Sequence, residues 1–254
     1  MERRAAPKHR RSSGSRAPGR RRTLFTVAGI AGEVLLTVGA LVLLFVVYTF
    51  WGTGLQTAAA QDDLRDQFEQ HLLARADEPA GSDTGAQTET DAQTEPEPLE
   101  LGDAYGILRI PRFGDDWERI VVEGTEPGDL EDGPGHYVDS VDPGRLGNFA
   151  VAAHRSGHGE PFARFAELRE GDVVEIETVE GVFRYELDDA PDGDDDGNVI
   201  ESTELWVVDP VPGEPDDTEP TEARLTLTTC WPRWGSEKRM FATGVLVDEQ
   251  PRTQ

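Results

Sequence analysis

The chain contains a single cysteine, Cys230, among 254 residues. No intramolecular disulfide can form, so neither a disulfide framework nor a cysteine-rich metal cluster can hold the fold together. Basic residues are also scarce, at 24 Lys and Arg against 50 Asp and Glu, a formal net charge of −26. Nine of those basic residues and only one of the acids, Glu2, lie in residues 1–22. The remainder therefore carries 15 basic and 49 acidic side chains, a net of −34. A body that acidic argues against nucleic acid as a partner and reads as a well-solvated surface. Long apolar runs are rare too. Only the stretch from about 24 to 51 is long enough to cross a hydrocarbon core of ~30 Å as a helix.

That stretch organises the N-terminal fifth of the chain. Residues 1–22 read as a basic, disordered, cytoplasmic tail, and residues 23–51 as a transmembrane anchor with Tyr48, Phe50 and Trp51 gathered at its far end. Glu33 is the one charge inside it. Ala58-Ala59-Ala60 could mimic a signal-peptidase site, but the apolar run exceeds a typical signal h-region, so an uncleaved anchor is the reading taken. The basic flank then stays in the cytoplasm and the rest of the chain lies outside.

Residues 52–76 read as a membrane-proximal helix, amphipathic from 56 onward, with Leu64, Phe68, Leu72 and Leu73 at helical spacing. Residues 77–100 lose nearly all large apolar groups and read as a disordered acidic linker that holds the following domain off the membrane. Residues 101–254 are enough for one domain with its own core. Strand candidates lie at 104–110, 119–123, 147–153, 173–178, 181–188, 205–210, 224–229 and 241–248, separated by Gly, Pro and Asp. The expected fold class is all-β, an eight-stranded barrel or a sandwich, with a helical turn near 161–168 whose Phe162, Phe165 and Leu168 plug one end. Residues 173–187 alternate as a hairpin.

A lone thiol has two readings, a small buried apolar residue or a nucleophile. A nucleophile needs a proton-transfer partner, a charge for the developing oxyanion, and an open cleft. Of five histidines, His9 and His71 fall outside the β-rich domain, and His136 reads as a turn residue near the rim. His154 closes the apolar run Asn148-Phe149-Ala150-Val151-Ala152-Ala153, where a strand end presents a side chain to a cleft. Its rival His158 sits between Gly157 and Gly159 in the same loop; two histidines four apart could also bind a metal, but no Cys or carboxylate pattern accompanies them. Arg239 follows Cys230 by nine residues and would face it across a hairpin, with Arg233 and Lys238 as competitors.

The run Leu225-Thr226-Leu227-Thr228-Thr229-Cys230-Trp231-Pro232, the stretch Gly147 to Arg155 with His154 at its end, and the downstream Arg239 together resemble a sortase, a membrane-anchored cysteine transpeptidase of Gram-positive bacteria. They look most like the class E sortases of actinobacteria, although that family usually has Gly where Ala153 stands. The resemblance covers about residues 101–250 and implies an eight-stranded sortase-type β-barrel with short helices. It also implies the roles: Cys230 as nucleophile, His154 as general acid and then base, Arg239 holding substrate and oxyanion, with Thr229 and Thr228 shaping the pocket. The implied partners are secreted proteins carrying a C-terminal Leu-Ala-x-Thr-Gly or Leu-Pro-x-Thr-Gly motif, and a peptidoglycan amine that resolves the acyl-enzyme. No cofactor is expected. Asp192, Asp194 and Asp196 match half of a calcium loop, yet position 12 is Thr203, and a solvated acidic insert is the favoured reading. Two rivals stand beside this one, a peptidase that only hydrolyses and a tethered β-domain without catalysis.

Overall fold

The structure is a computed structural model that describes residues 20–48, 52–76, 99–193, 197–215 and 217–252. Expectations for the basic tail, most of the acidic linker, Asp194 and Asp196 fall outside the described residues. Two units are present, one ending at Tyr48 and one comprising everything after it.

The first unit is helix α1 (Arg20–Val47). Within it, Gly29–Val47 is apolar over 19 residues, about 28 Å at ~1.5 Å per residue, which is long enough to cross a membrane.

The second unit is built on strand alternation. β5 (Val173–Glu177) and β6 (Gly181–Asp189) form the expected hairpin, closed by the Thr178 N–H donating to the Gly181 carbonyl at 2.8 Å. One face of the hairpin buries Val174, Ile176, Phe183, Tyr185 and Leu187. The other carries charges that pair across strands, as in Arg184 with Glu175 at 2.8 Å and Arg109 with Glu177 at 2.9 Å. This period-two segregation is what sets register.

The remaining strands are β1 (Ala104–Arg109), β2 (Glu118–Glu123), β3 (Gly135–His136), β4 (Gly147–Ala152), β7 (Val199–Glu201), β8 (Ala223–Trp231) and β9 (Lys238–Pro251). They run in the order β6-β5-β1-β2-β3-β4-β8-β9, and β9 pairs back onto β6, so eight strands close a barrel while β7 adds to the outer edge of β9. The pairs β2–β3 and β4–β8 are parallel and the others antiparallel. Leu108, Val121, Phe149, Val151, Leu225, Leu227, Met240 and Ala242 fill the interior, and Phe162, Phe165 and Leu168 are fully buried at one end around a 3-10 turn at Phe165–Glu167.

One expected strand is absent. Residues 205–210 form a 3-10 turn at Trp206–Val208. Its carbonyls find a side chain instead of a neighbouring strand: the Asn148 amide donates to the carbonyls of Val207 and Asp209, both at 3.0 Å. Only Val207 is buried, while Leu205 stays 61 % exposed. The strand in this region is the three-residue β7, too short to register as a pattern beside its acidic flank.

Helix α2 (Thr53–Ala76) belongs to this unit. Its Leu64 and Phe68 pack with Ala104, Ile107, Ile120 and Val122 on the outside of β1 and β2, and Leu72 adds to the cluster. Leu73 remains 67 % exposed, so the apolar stripe is narrower than expected. A short helix, α3 (Pro127–Asp132), links β2 to β3. Pro127 opens it, and Glu126 and Asp129 form a reciprocal cap, with the Glu126 N–H donating to Asp129 at 3.0 Å.

Candidate active site

Alternation along β8 sorts its residues between two environments. Leu225 and Leu227 point into the barrel core. Thr226, Thr228 and Cys230 point the other way, where the Thr226 hydroxyl donates to the Asn148 side chain at 2.9 Å and Thr228 shares a 3.0 Å hydrogen bond with the Tyr137 hydroxyl. On β9, Met240 and Ala242 are interior, so Arg239 and Phe241 face outward. Cys230 and Arg239 are direct cross-strand partners. Residues so placed share a face at close quarters.

His154 reaches the same face from the end of β4, which runs parallel to β8 with Ala152 opposite Thr228. Two bonds tie the histidine's chain to the cysteine's strand. The Ala153 N–H donates to the Thr228 carbonyl at 3.1 Å, and the buried Thr229 hydroxyl donates to the Ala153 carbonyl at 2.8 Å. Thr229 therefore acts in this structure as a clamp between the two strands. The loop after His154 is pinned at its return by the Phe162 N–H, which donates to the His154 carbonyl at 3.0 Å.

These residues line one cleft of about 410 Å³, shared by Tyr137, His154, Thr228, Thr229, Cys230 and Arg239. Its apolar walls come from Leu130 of α3 on one side and from Ile200, Leu205, Val207 and Val208 on the other. Cys230 is half-buried. The Arg239 guanidinium is held by the carbonyls of Ser236 and Lys238, each at 3.0 Å. Its two competitors are engaged elsewhere. Arg233 pairs with Glu160 at 2.9 Å and lies over the Trp234 ring, and Lys238 pairs with Glu201 at 3.1 Å.

His158 is not a bystander in the loop. Its ring stacks on His154 with centroids 4.8 Å apart and 24° between planes. Gly157 and Gly159 flank it with φ of +73° and +70°, and His158 itself adopts +47°. This left-handed run folds the imidazole back onto its neighbour. Burial depresses the His154 pKa below its ordinary 6.5, the facing His158 depresses it further, and Glu131 on α3 acts the other way. Removing the ring in His158→Gln takes away one of the two influences that depress the His154 pKa, so His154 would hold its proton to higher pH. The acid limb of kcat/KM should accordingly lie below pH 6.5 in the parent chain and move upward in the variant. An acid limb that does not move would show that the stack has no electrostatic role.

His136 is not the rim residue expected. It is 4 % exposed, stacked against Tyr105 at 4.4 Å, with Nδ1 2.9 Å from Glu123 and Nε2 2.9 Å from the Ser140 hydroxyl. The order Ser–His–Glu superficially suggests a relay. However, Ser140 Oγ also accepts the Ala150 N–H at 3.1 Å, so this buried network ties β2, β3 and β4 together. The sequence placed His136 at a turn because Gly133, Pro134 and Gly135 precede it; the structure makes that stretch a short central strand.

Asp192 forms an ion pair with Arg169 at 3.1 Å. Among the described residues, no three His, Cys, Asp or Glu side chains converge as a metal ion requires. Sequence reasoning missed Tyr137, Leu130 and Glu160. The cue for α3 was present in Glu126-Pro127 followed by Asp129, a helix-start pattern.

A closed β-barrel presenting a thiol, an imidazole and a guanidinium in one outward cleft defines a protein equipped for thiol-based acyl chemistry. The family model for the Sortase domain matches residues 108–247, and the chain belongs to the sortase family. Sortase SrtE1 of Streptomyces coelicolor is 30 % identical over 96 % of this chain, which spans 63 % of that protein's length. Sortase SrtE2 of the same organism is also 30 % identical, over 94 % of this chain and 90 % of its own. Among solved structures, sortase E from Streptomyces avermitilis is 35 % identical, covering 60 % of this chain and 93 % of its own with a TM-score of 0.52. The SrtF sortase from Corynebacterium diphtheriae is 29 % identical with a TM-score of 0.55, covering 65 % and 95 %.

Proposed function

We propose that this chain is a membrane-anchored cysteine transpeptidase that cleaves a C-terminal sorting motif of the Leu-Ala-x-Thr-Gly or Leu-Pro-x-Thr-Gly type between Thr and Gly. The observation that carries the reading is the convergence of Cys230, its cross-strand partner Arg239, and His154 in one cleft. Helix α1 is the anchor, with the basic tail cytoplasmic and the barrel outside.

The chemistry follows from the three groups. The Cys230 thiol passes its proton to His154, and the thiolate attacks the Thr carbonyl carbon. Negative charge then develops on the carbonyl oxygen, where a permanently charged guanidinium such as Arg239 stabilises it. As the C–N bond to Gly breaks, His154 returns its proton to the leaving amine, which leaves a thioester on Cys230. A second amine, from a peptidoglycan precursor, enters the cleft, gives a proton to His154 and attacks the thioester. Collapse forms the new amide and expels the Cys230 thiolate, which takes the proton from His154 and restores the starting thiol and imidazole. The apolar walls suit the Leu side of the motif. The acidic stretch around Asp192 is read as a solvated insert, and the steps above are written with side chains alone.

Arg239→Lys keeps the charge and loses the planar fork. It is expected to lower kcat/KM by roughly 10²–10³-fold with the thiol still open to alkylation. Near-parental turnover would move the oxyanion role to another group.

The deciding experiment is mass spectrometry of the full chain in detergent with a Leu-Ala-x-Thr-Gly peptide, with Leu-Pro-x-Thr-Gly beside it, in the presence and absence of a glycine-type amine. A thioester mapped to Cys230 and transferred to the amine supports transpeptidation. Cleavage without transfer would make the protein a hydrolase, and the absence of any adduct would remove the catalytic reading.

A further inference from the structure

Helix α2 lies apart from the reacting groups, yet its polar face leads to them. Thr57, Gln61, Leu64 and Phe68 recur at three- and four-residue spacing and share one side of the helix. The apolar half of that stripe packs on β1 and β2. The polar half engages α3 and the loop carrying His154.

Gln61 is fully occupied. Its side-chain oxygen accepts the Ile120 N–H at 2.8 Å, and its amide donates to the carbonyls of Ile120 and Asp132, both at 2.9 Å. The fit is close enough that a Cβ on Gly133 would meet the Gln61 amide nitrogen at 2.5 Å. Thr57 is 5 % exposed, and its hydroxyl lies 2.7 Å from the Glu131 carbonyl and 3.1 Å from that of Thr53. Its methyl abuts the His154 loop: a Cβ on Gly159 would come within 3.2 Å of it. From α3, Leu130 lines the cleft, and the Glu131 charge is felt at His154. One turn of α2 thus touches both the helix that walls the cleft and the loop that presents the imidazole.

We propose that α2 is a positioning element for the proposed reaction, with Thr57 and Gln61 fixing α3 and the Gly159 turn so that His154 is held over Cys230. This rests on the transpeptidase reading for its consequence in turnover, but the positioning itself has a readout independent of turnover. The geometry matters because small misplacements of a proton-transfer group cost rate without affecting substrate binding.

The test uses the full chain in detergent. Thr57→Val preserves shape and removes the hydroxyl, while Thr57→Ser keeps the hydroxyl on the Glu131 carbonyl and gives up the methyl against Gly159. The expected result is a kcat roughly tenfold lower for Thr57→Val with KM within about twofold, and recovery of most of that loss in Thr57→Ser. Amide exchange at Phe162, whose N–H bonds the His154 carbonyl, should quicken by roughly tenfold in Thr57→Val and by clearly less in Thr57→Ser, which loses only the methyl contact with the loop. Leu64→Ala, which loosens only the apolar half of α2, should lower Tm and leave kcat at parental level well below it. The proposal is overturned by parental kcat and exchange in Thr57→Val, by equal losses in the two Thr57 variants, or by a kcat loss that tracks Tm across all three. If the parental chain forms no acyl adduct, the transpeptidase reading has failed by itself, and the exchange measurement still decides whether α2 holds the loop.

Discussion

Cys230→Ala should abolish acyl transfer, with single-turnover formation of the acyl-enzyme falling by roughly 10⁴-fold or more. The thioester has no other place to form, because Cys230 is the chain's one thiol. The substitution is structurally mild. Cys230 is half-buried at the cleft rather than in the core, so Tm should change little. Its neighbours Thr228 and Thr229 keep their own bonds to Tyr137 and Ala153. Cys230→Ser is the sharper comparison. It preserves size and hydrogen bonding, but a hydroxyl is a far poorer nucleophile at neutral pH than a thiol, so it should be nearly as inactive as the alanine variant. Mass spectrometry with the sorting peptide reads both. Substantial acyl transfer by either variant would return Cys230 to the role of a small rim residue.

His154→Gln carries the second large effect, an expected loss of roughly 10²–10⁴-fold in kcat/KM. Glutamine approximates the reach of imidazole and can donate a hydrogen bond, but it cannot carry a proton from the thiol to the leaving amine. The loss should fall on kcat, with KM little altered, because the apolar walls that would hold the peptide come from α3 and from the turn at Trp206–Val208. The pH dependence separates His154 from its stacked neighbour. His154→Gln should erase the acid limb of the profile, whereas His158→Gln should only shift it upward. If instead His158→Gln proved the more damaging substitution and His154→Gln kept the limb, the two imidazoles would exchange roles.

Much of this is legible in the sequence. The pattern Thr226, Thr228, Cys230 against Leu225 and Leu227 marks a strand with one apolar face, and such alternation needs no tertiary information. The hairpin at 173–187 was readable for the same reason. The turn at Trp206–Val208 was not, because Leu, Trp and two Val in a row suit a strand by composition. What decides against a strand is the Asn148 side chain, 58 residues before Trp206, which takes up the carbonyls that a neighbouring strand would need. His136 was misplaced for a similar reason, since its partners Glu123 and Ser140 meet only once β2 and β3 run side by side.

The place of helix α2 was not legible either. Helix α2 was read as a membrane-proximal element separate from the domain, but Leu64 and Phe68 lie in a core cluster with residues of β1 and β2.

The sequence by itself determined the class of chemistry and the local structure that supports it: one thiol, a histidine at a strand end, an arginine across a hairpin, and an apolar helix of spanning length. These are properties of composition and short-range periodicity. Tertiary structure decided which charges are spoken for and which side chains share a space. Arg239 was separated from Arg233 and Lys238 because Glu160 and Glu201 claim the latter two. His158 became a partner of His154 through a left-handed turn, and Thr229 became a clamp because parallel pairing of β4 and β8 brings the Ala153 carbonyl to it. Such assignments depend on contacts between residues tens of positions apart, and those contacts exist only after the barrel has closed.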